Sequence, residues 1–135
     1  IMGIVAAVAI PRMSRGSAGA SDSALSSNLS AMRSAIDLYA SEHGGTYPAA
    51  ATFSDQMTLY TSSTGATNAT KTATYLYGPY LRKIPPLPVG AEKGSSTVAA
   101  AAAAGVGWVY TAVSGDIQSN TGTLKDAADK LYTDY

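Results

Sequence analysis

The chain opens with an apolar run and continues into a polar stretch that keeps helical spacing. Residues 1–10 are all apolar or glycine, whereas between Ser21 and Ser41 apolar residues recur every three or four positions. This recurrence is the period of one helix face. The positions on that face are Leu25, Leu29, Met32, Ile36 and Tyr39. The pattern predicts a long N-terminal helix whose second half packs on a head.

The predicted helix ends at His43, because Gly44 and Gly45 follow and glycine readily takes the left-handed conformation of a helix cap. A continuous helix to this point would extend for roughly 65 Å. Proline and glycine inside it predict a kink or local unwinding at Gly3, Pro11, Gly16 and Gly19. The alternative is a bend that only follows the head.

The apolar run is short for a membrane span. Ten residues precede Pro11, whereas a spanning helix needs roughly 20. We therefore expect further apolar residues upstream of Ile1. Three segments follow from the pattern: residues 1–20 form a kinked apolar segment for a bilayer or a filament core, residues 21–43 an amphipathic helix, and residues 44–135 the head.

The first part of the head alternates short elements with polar loops. Residues 53–60 predict a short helix with Phe53, Met57 and Tyr60 facing inward. Residues 61–74 are rich in Thr, Ser and Gly and predict an exposed loop. Its candidates for O-linked glycans are Thr61, Ser62, Ser63, Thr64 and Thr67, although the composition favours a plain solvated loop.

The second part of the head carries a hairpin signal. Residues 108–111 and 116–119 are β-prone and flank a turn that contains Gly115. Pro85, Pro86 and Pro88 predict extended chain before it. Residues 124–135 permit a short helix, and residues 98–104, which are rich in alanine, match no single element.

Composition removes several classes of function. Charged residues make up 13%, and nine basic residues balance nine acidic ones, so no basic surface for nucleic acid is predicted. The chain has no cysteine, which excludes disulfides, thiolate metal sites and a cysteine nucleophile. A weakly charged surface suits a protein that packs against copies of itself.

We find no pattern of catalytic residues and predict that the chain is not an enzyme. His43 is the only histidine, and its place at a helix end favours a capping or solvent role. A calcium site would need several oxygen ligands close together. Asp126 and Asp129 have helical spacing with lysines beside them, which favours a solvated face over calcium. No cofactor is predicted.

Three stretches together resemble the type IV pilin superfamily, which includes the pseudopilins of type II secretion. Residues 1–11 resemble the second half of the conserved N-terminal prepilin helix, and the end of that helix in the major-pseudopilin-like branch is similar to residues 35–39. The C-terminal hairpin of many bacterial members is similar to residues 107–110, 115–117 and 120–121. The family's methylated first residue and its assembly glutamate are not found here, which implies that residues precede Ile1.

The resemblance implies an α+β fold of ladle shape, in which a long N-terminal helix packs on a small antiparallel sheet. It also implies a structural subunit that waits in the inner membrane and is extracted by an ATPase motor at an assembly platform. The subunit then polymerises into an extracellular filament on the bacterial surface. The expected filament-core residues are Ile1, Ile4, Val5, Val8 and Ile10.

Two alternatives to the extracellular filament stay open. One is a type II secretion pseudopilin that forms a periplasmic pseudopilus. The other is a membrane-anchored minor pilin or binding module that acts as a single copy. Self-association through the first helix separates the polymer from the single-copy module.

Overall fold

The computed structural model describes the backbone of residues 2–135 and the side chains of residues 19–135. The first element is helix α1, Met2–Glu42. It ends where Gly44 takes a left-handed φ of 66°, which lets the amide of Gly45 donate to the Ala40 carbonyl at 2.7 Å. The glycine pair therefore ends the helix as the sequence predicted.

Several predictions for the first segment fall on positions whose side chains lie outside the described residues. These are the filament-core residues Ile1, Ile4, Val5, Val8 and Ile10 and the kink positions Gly3, Pro11 and Gly16. They stay predictions. Gly19 is described: it lies within α1, is exposed, and has open space where a side chain would be.

The head begins with a short 3₁₀ turn, Ala50–Thr52, and helix α2, Phe53–Thr58. Phe53 and Met57 are buried, as the sequence predicted. Tyr60 differs from the prediction: α2 stops at Thr58, and Tyr60 is half-buried at the start of a strand.

That strand belongs to a small hairpin which the sequence did not predict. Strand β1, Tyr60–Thr61, pairs antiparallel with β2, Thr67–Asn68, and Thr61 also bridges to Tyr77. The prediction of a fully exposed loop over residues 61–74 is therefore wrong at its beginning, because these backbone bonds draw the chain onto the core.

A three-stranded sheet forms the rest of the head. Its strands are β3, Val98–Ala99, β4, Trp108–Thr111, and β5, Asp116–Ser119, in that order. The predicted β4–β5 hairpin is present, with Trp108 opposite Ser119. The expectation of a purely antiparallel sheet is wrong for β3, which pairs parallel to β4. The architecture is α+β with a long N-terminal helix and two small sheets.

The hydrophobic core lies between one face of α1 and the three-stranded sheet. Burial of each large apolar side chain contributes roughly 1.5–3 kcal/mol, so these contacts dominate the stability of the head. Beyond the helix, the core residues are Phe53, Met57, Ile84, Leu87, Val89, Trp108, Tyr110 and Ile117.

The last residues form a turn and not the short helix that their composition permits. The side chain of Asp126 accepts hydrogen bonds from the amides of Ala128 and Lys130, and these bonds compete with helical ones. Lys125 bridges back to Leu131, and a 3₁₀ turn follows at Tyr132–Asp134.

Candidate functional site

The candidate site is helix α1, which presents two chemically different faces from residue 19 to its end. One face packs on the head. All five positions that the spacing placed on it are at most 2% exposed: Leu25, Leu29, Met32, Ile36 and Tyr39. This half of α1 is therefore part of the core of the head.

The other face of α1 is exposed and consists almost entirely of small uncharged residues. Asp37 is its one charged residue, and Leu38, 50% exposed, is its one large apolar residue. The small exposed residues are Gly19, Ala20, Ser23, Ser26, Ser27, Ser30, Ala31, Ser34 and Ser41. A surface with such short side chains lets another backbone approach closely.

Polar side chains of α1 fasten the C-terminal turn to the helix. The hydroxyl of Tyr132 donates to Asp22 Oδ1 at 2.7 Å. This hydrogen bond raises the pKa of Tyr132 to about 12, because the bond holds the phenol in its protonated form. Arg33 donates to the carbonyl oxygens of Tyr135 at 2.7 Å and of Ile117 at 3.2 Å. Helix and head are thus held together by directional bonds as well as apolar burial.

His43 joins the end of α1 to the β1–β2 hairpin: its ring bonds a carbonyl of the last helical turn, as a capping role predicts, but it is buried, so the expected solvent role is wrong. Its ring is buried and stacks on Tyr39, with 3.8 Å between the ring centroids. Nδ1 lies 2.8 Å from the Tyr39 carbonyl oxygen, and Nε2 lies 2.9 Å from that of Ser62. The side chain is structural because both ring nitrogens face backbone carbonyls.

The carboxylates of Asp126 and Asp129 bond to other groups of the C-terminal turn. Tyr135 donates its hydroxyl to Asp126 Oδ2, and this bond lowers the pKa of Asp126. Asp129 forms an exposed ion pair with Lys125 at 3.0 Å. Among the described residues, no group of three or more His, Cys, Asp or Glu side chains could hold a metal ion.

The candidate glycosylation residues fall into two groups. Thr61 is 0% exposed and Ser62 5%, so neither hydroxyl can accept a glycan in the folded head; for these two the prediction is wrong. Both are buried because the hairpin brings them against His43. Ser63 and Thr64 are exposed, and Thr67 is half-buried in β2.

Sequence reasoning missed the polar residues that join helix and head. Arg33 carried a usable signal, since it is the one basic residue between Arg15 and Lys71 and lies beside the apolar face. Asp22 and Tyr132 lie 110 positions apart, and neither has a local pattern that predicts the pair.

In the described part of the chain, no helix is long and apolar enough to cross a bilayer. Comparisons with protein-family models, with curated proteins and with solved structures find no match for this chain.

Proposed function

We propose that this protein is a structural subunit, not an enzyme, which polymerises through helix α1 into a type IV pilus-like filament outside the cell. In this proposal the subunit has the ladle shape: the second half of α1 belongs to the head, and the first half bundles with other copies. The observation that carries the proposal is the division of α1 into a fully buried face and an exposed face of small residues.

The composition of the exposed face favours a helix that packs against other copies over one that faces solvent. A solvated helix face is usually rich in charged residues, which keep it soluble. Here one charge, Asp37, lies among the exposed positions from 19 to 42. Copies packed side by side would therefore bury few charges, and burial of unpaired charge is the main cost of bringing such surfaces together.

The apolar N-terminal run supplies the driving force in this proposal. Each large side chain among Ile1, Ile4, Val5, Val8 and Ile10 would contribute roughly 1.5–3 kcal/mol when it is buried between copies. Before assembly the same residues would lie in the inner membrane, from which a platform and an ATPase motor extract the subunit. Glycine and proline at Gly3 and Pro11 would let the assembled rod lengthen under load.

A charge placed in the proposed filament core tests this function. In cells that produce the full-length protein, Val5→Lys is expected to abolish surface filaments seen by electron microscopy, because the lysine cannot be paired in an apolar bundle. Thr70→Lys is the matched control, since it adds the same charge at an exposed head position and is expected to leave filaments normal.

Immunoblots of the membrane fraction must show equal amounts of both variants, so that loss of filaments is not loss of protein. Normal filaments from Val5→Lys would overturn the core-packing argument. Absence of filaments from the unaltered protein, with label confined to the envelope, would favour a periplasmic pseudopilus or a single-copy module.

A further inference from the structure

Two of the three asparagines in the chain begin an acceptor pattern for N-linked glycans. The pattern is asparagine, then any residue except proline, then serine or threonine. It occurs at residues 28–30, in α1, and at residues 68–70, which begin in β2. Since the pattern is the same in both places, the conformation and the surroundings of each asparagine decide whether a transferase can use it.

The side chain of Asn68 is held in a turn by the chain that follows it. Its carbonyl oxygen, Oδ1, accepts the backbone amide of Thr70 at 2.9 Å. This is the hydrogen bond of an Asx turn, and it occupies the oxygen of the carboxamide. In the described part of the chain, no group bonds to the nitrogen, Nδ2. The atom that receives the sugar in this modification is therefore available.

The chain around Asn68 leaves room for a transferase and for the attached sugar. Asn68 is half-buried at the end of β2, and residues 69–74 after it are all exposed. Thr70, which supplies the hydroxyl of the acceptor pattern, is among them. A short strand that leads into such an exposed segment is typical of the surface loops in which this modification is found.

The fold blocks the pattern in α1. Residues 28–30 are helical, so the amide of Ser30 belongs to the helix and does not form an Asx turn with Asn28. Nδ2 of Asn28 already donates to the carbonyl oxygen of Pro86 at 3.4 Å. Leu29, the residue between, is 1% exposed and lies in the core. A transferase would have to unfold this part of α1 to bind the three residues.

Asn68 also lies away from the end of α1 that the proposed filament core uses. Strand β2 pairs with β1, and Thr61 of β1 bonds to His43, directly after α1. The hairpin is therefore attached to the C-terminal end of the helix, whereas the apolar run is at its N-terminal end. A sugar on Asn68 would extend from the head without entering the bundle.

We propose that Asn68 is the acceptor of an N-linked glycan and that Asn28 is left unmodified. The inference rests on the proposed function, because this modification is made on exported proteins and the proposed filament places the head outside the cell. In the reaction, Nδ2 of Asn68 forms a bond to the anomeric carbon of an oligosaccharide carried on a lipid pyrophosphate. The bond from that carbon to the pyrophosphate oxygen breaks, the lipid pyrophosphate leaves, and a proton from Nδ2 passes to a base of the transferase.

Mass spectrometry of tryptic peptides tests the assignment, because trypsin cuts after Arg15, Arg33 and Lys71 and so separates the two patterns. The full-length protein is taken from the cells that naturally produce it, both from sheared filaments and from the envelope. The expected result is a glycan mass on peptide 34–71, localised to Asn68 by electron-transfer fragmentation, together with an unmodified peptide 16–33.

Four variants identify the acceptor atom and the pattern. Asn68→Gln keeps a carboxamide but breaks the pattern, and Thr70→Val keeps the shape of threonine but removes its hydroxyl; both are expected to lose the glycan. Thr70→Ser keeps the hydroxyl and is expected to retain the glycan. Asn28→Gln is the matched control and is expected to leave the modification unchanged.

An unmodified Asn68 in the natural protein, or sugar found only on Ser63 or Thr64, would overturn the inference. A glycan that persists in Thr70→Val, or one carried by Asn28, would also overturn it.

Assembly is a separate readout. Because Asn68 lies away from the proposed bundle, Asn68→Gln and Thr70→Lys are expected to form normal filaments without the glycan. Filaments of the natural protein that carry no sugar would overturn this inference and leave the proposed function standing. Glycosylated protein that forms no filaments would overturn the proposed function alone.

Discussion

At the scale of single residues, the side chains that join helix and head are bonded to partners distant in the sequence. Asp22, Arg33 and His43 all lie on or beside α1, and their partners in the head lie 18 to 110 positions away. Each bond fixes one point of the head on the helix. Asp22 and Arg33 both hold the C-terminal turn, through Tyr132 and Tyr135, whereas His43 holds the β1–β2 hairpin.

Removal of the Asp22 carboxylate should weaken the attachment of the C-terminal turn, which Arg33 continues to hold. We expect Asp22→Ala to lower the free energy of unfolding by about 1 kcal/mol at neutral pH, since one hydrogen bond at a partly exposed site is lost. Asp37→Ala, an exposed aspartate on the same helix, is the control and should change stability by no more than about 0.5 kcal/mol.

The same bond predicts an alkaline pH dependence. The pKa of Tyr132 is raised to about 12 from an ordinary value of 10.0, so the stabilisation is fully present below pH 10 and is lost as the pH rises through 12. In Asp22→Ala the pKa of Tyr132 should return toward 10. Site-resolved NMR titration of the tyrosines measures it, and an unchanged Tyr132 titration in the variant would contradict the bond.

At the scale of elements, short sequence patterns predicted the helix and the strands that are formed by residues close together in the chain. The period of α1 indicated Leu25 to Tyr39 as one face, and these residues are in the core. The β-prone runs around Gly115 predicted β4 and β5, which pair across a short turn. Strand β3 could not be predicted, because its pairing with β4 depends on a loop of alanines that carries no strand pattern.

Two leucines of α1 test the division of the helix into faces. We expect Leu29→Ala to destabilise the head by about 2–5 kcal/mol, because it removes a side chain that is 1% exposed and leaves a cavity. Leu38→Ala makes the same change at a position that is 50% exposed and should cost less than about 0.5 kcal/mol. Chemical denaturation followed by circular dichroism compares them, and equal losses would contradict the described packing.

The β4–β5 turn depends on glycine at position 115. Gly115 has a φ of 74°, and an added Cβ would lie 2.6 Å from the ring of Tyr47. Gly115→Ala should therefore cost more than the roughly 1–2 kcal/mol of a left-handed backbone alone. Gly94→Ala isolates the backbone cost, since Gly94 has a φ of 93° and open space around it.

Thermal unfolding of the two glycine variants gives the comparison. The loss of stability caused by Gly115→Ala should exceed that caused by Gly94→Ala. This excess should shrink when Gly115→Ala is made together with Tyr47→Ala, because the ring that the added Cβ would strike is then gone. A difference that persists in the double variant would show that Tyr47 is not the cause.

At the scale of the whole molecule, the sequence predicted an α+β chain with a long helix, and the structure shows this architecture. It did not predict how the head closes on the helix end. The burial of Thr61 and Ser62 depends on His43, and the C-terminal turn depends on Asp126 accepting backbone amides. Such contacts join residues that become neighbours only when the core has formed, so no short stretch of sequence predicts them.

The central claim is that copies of the protein assemble through α1 with their heads outside. Helical reconstruction by electron cryomicroscopy of filaments sheared from producing cells tests it most directly. The account predicts a central bundle made of the apolar N-terminal segments, with the small-residue face of α1 turned toward neighbouring copies and the Leu25–Tyr39 face against its own head. A filament held together by the heads alone, with α1 exposed to solvent, would contradict it.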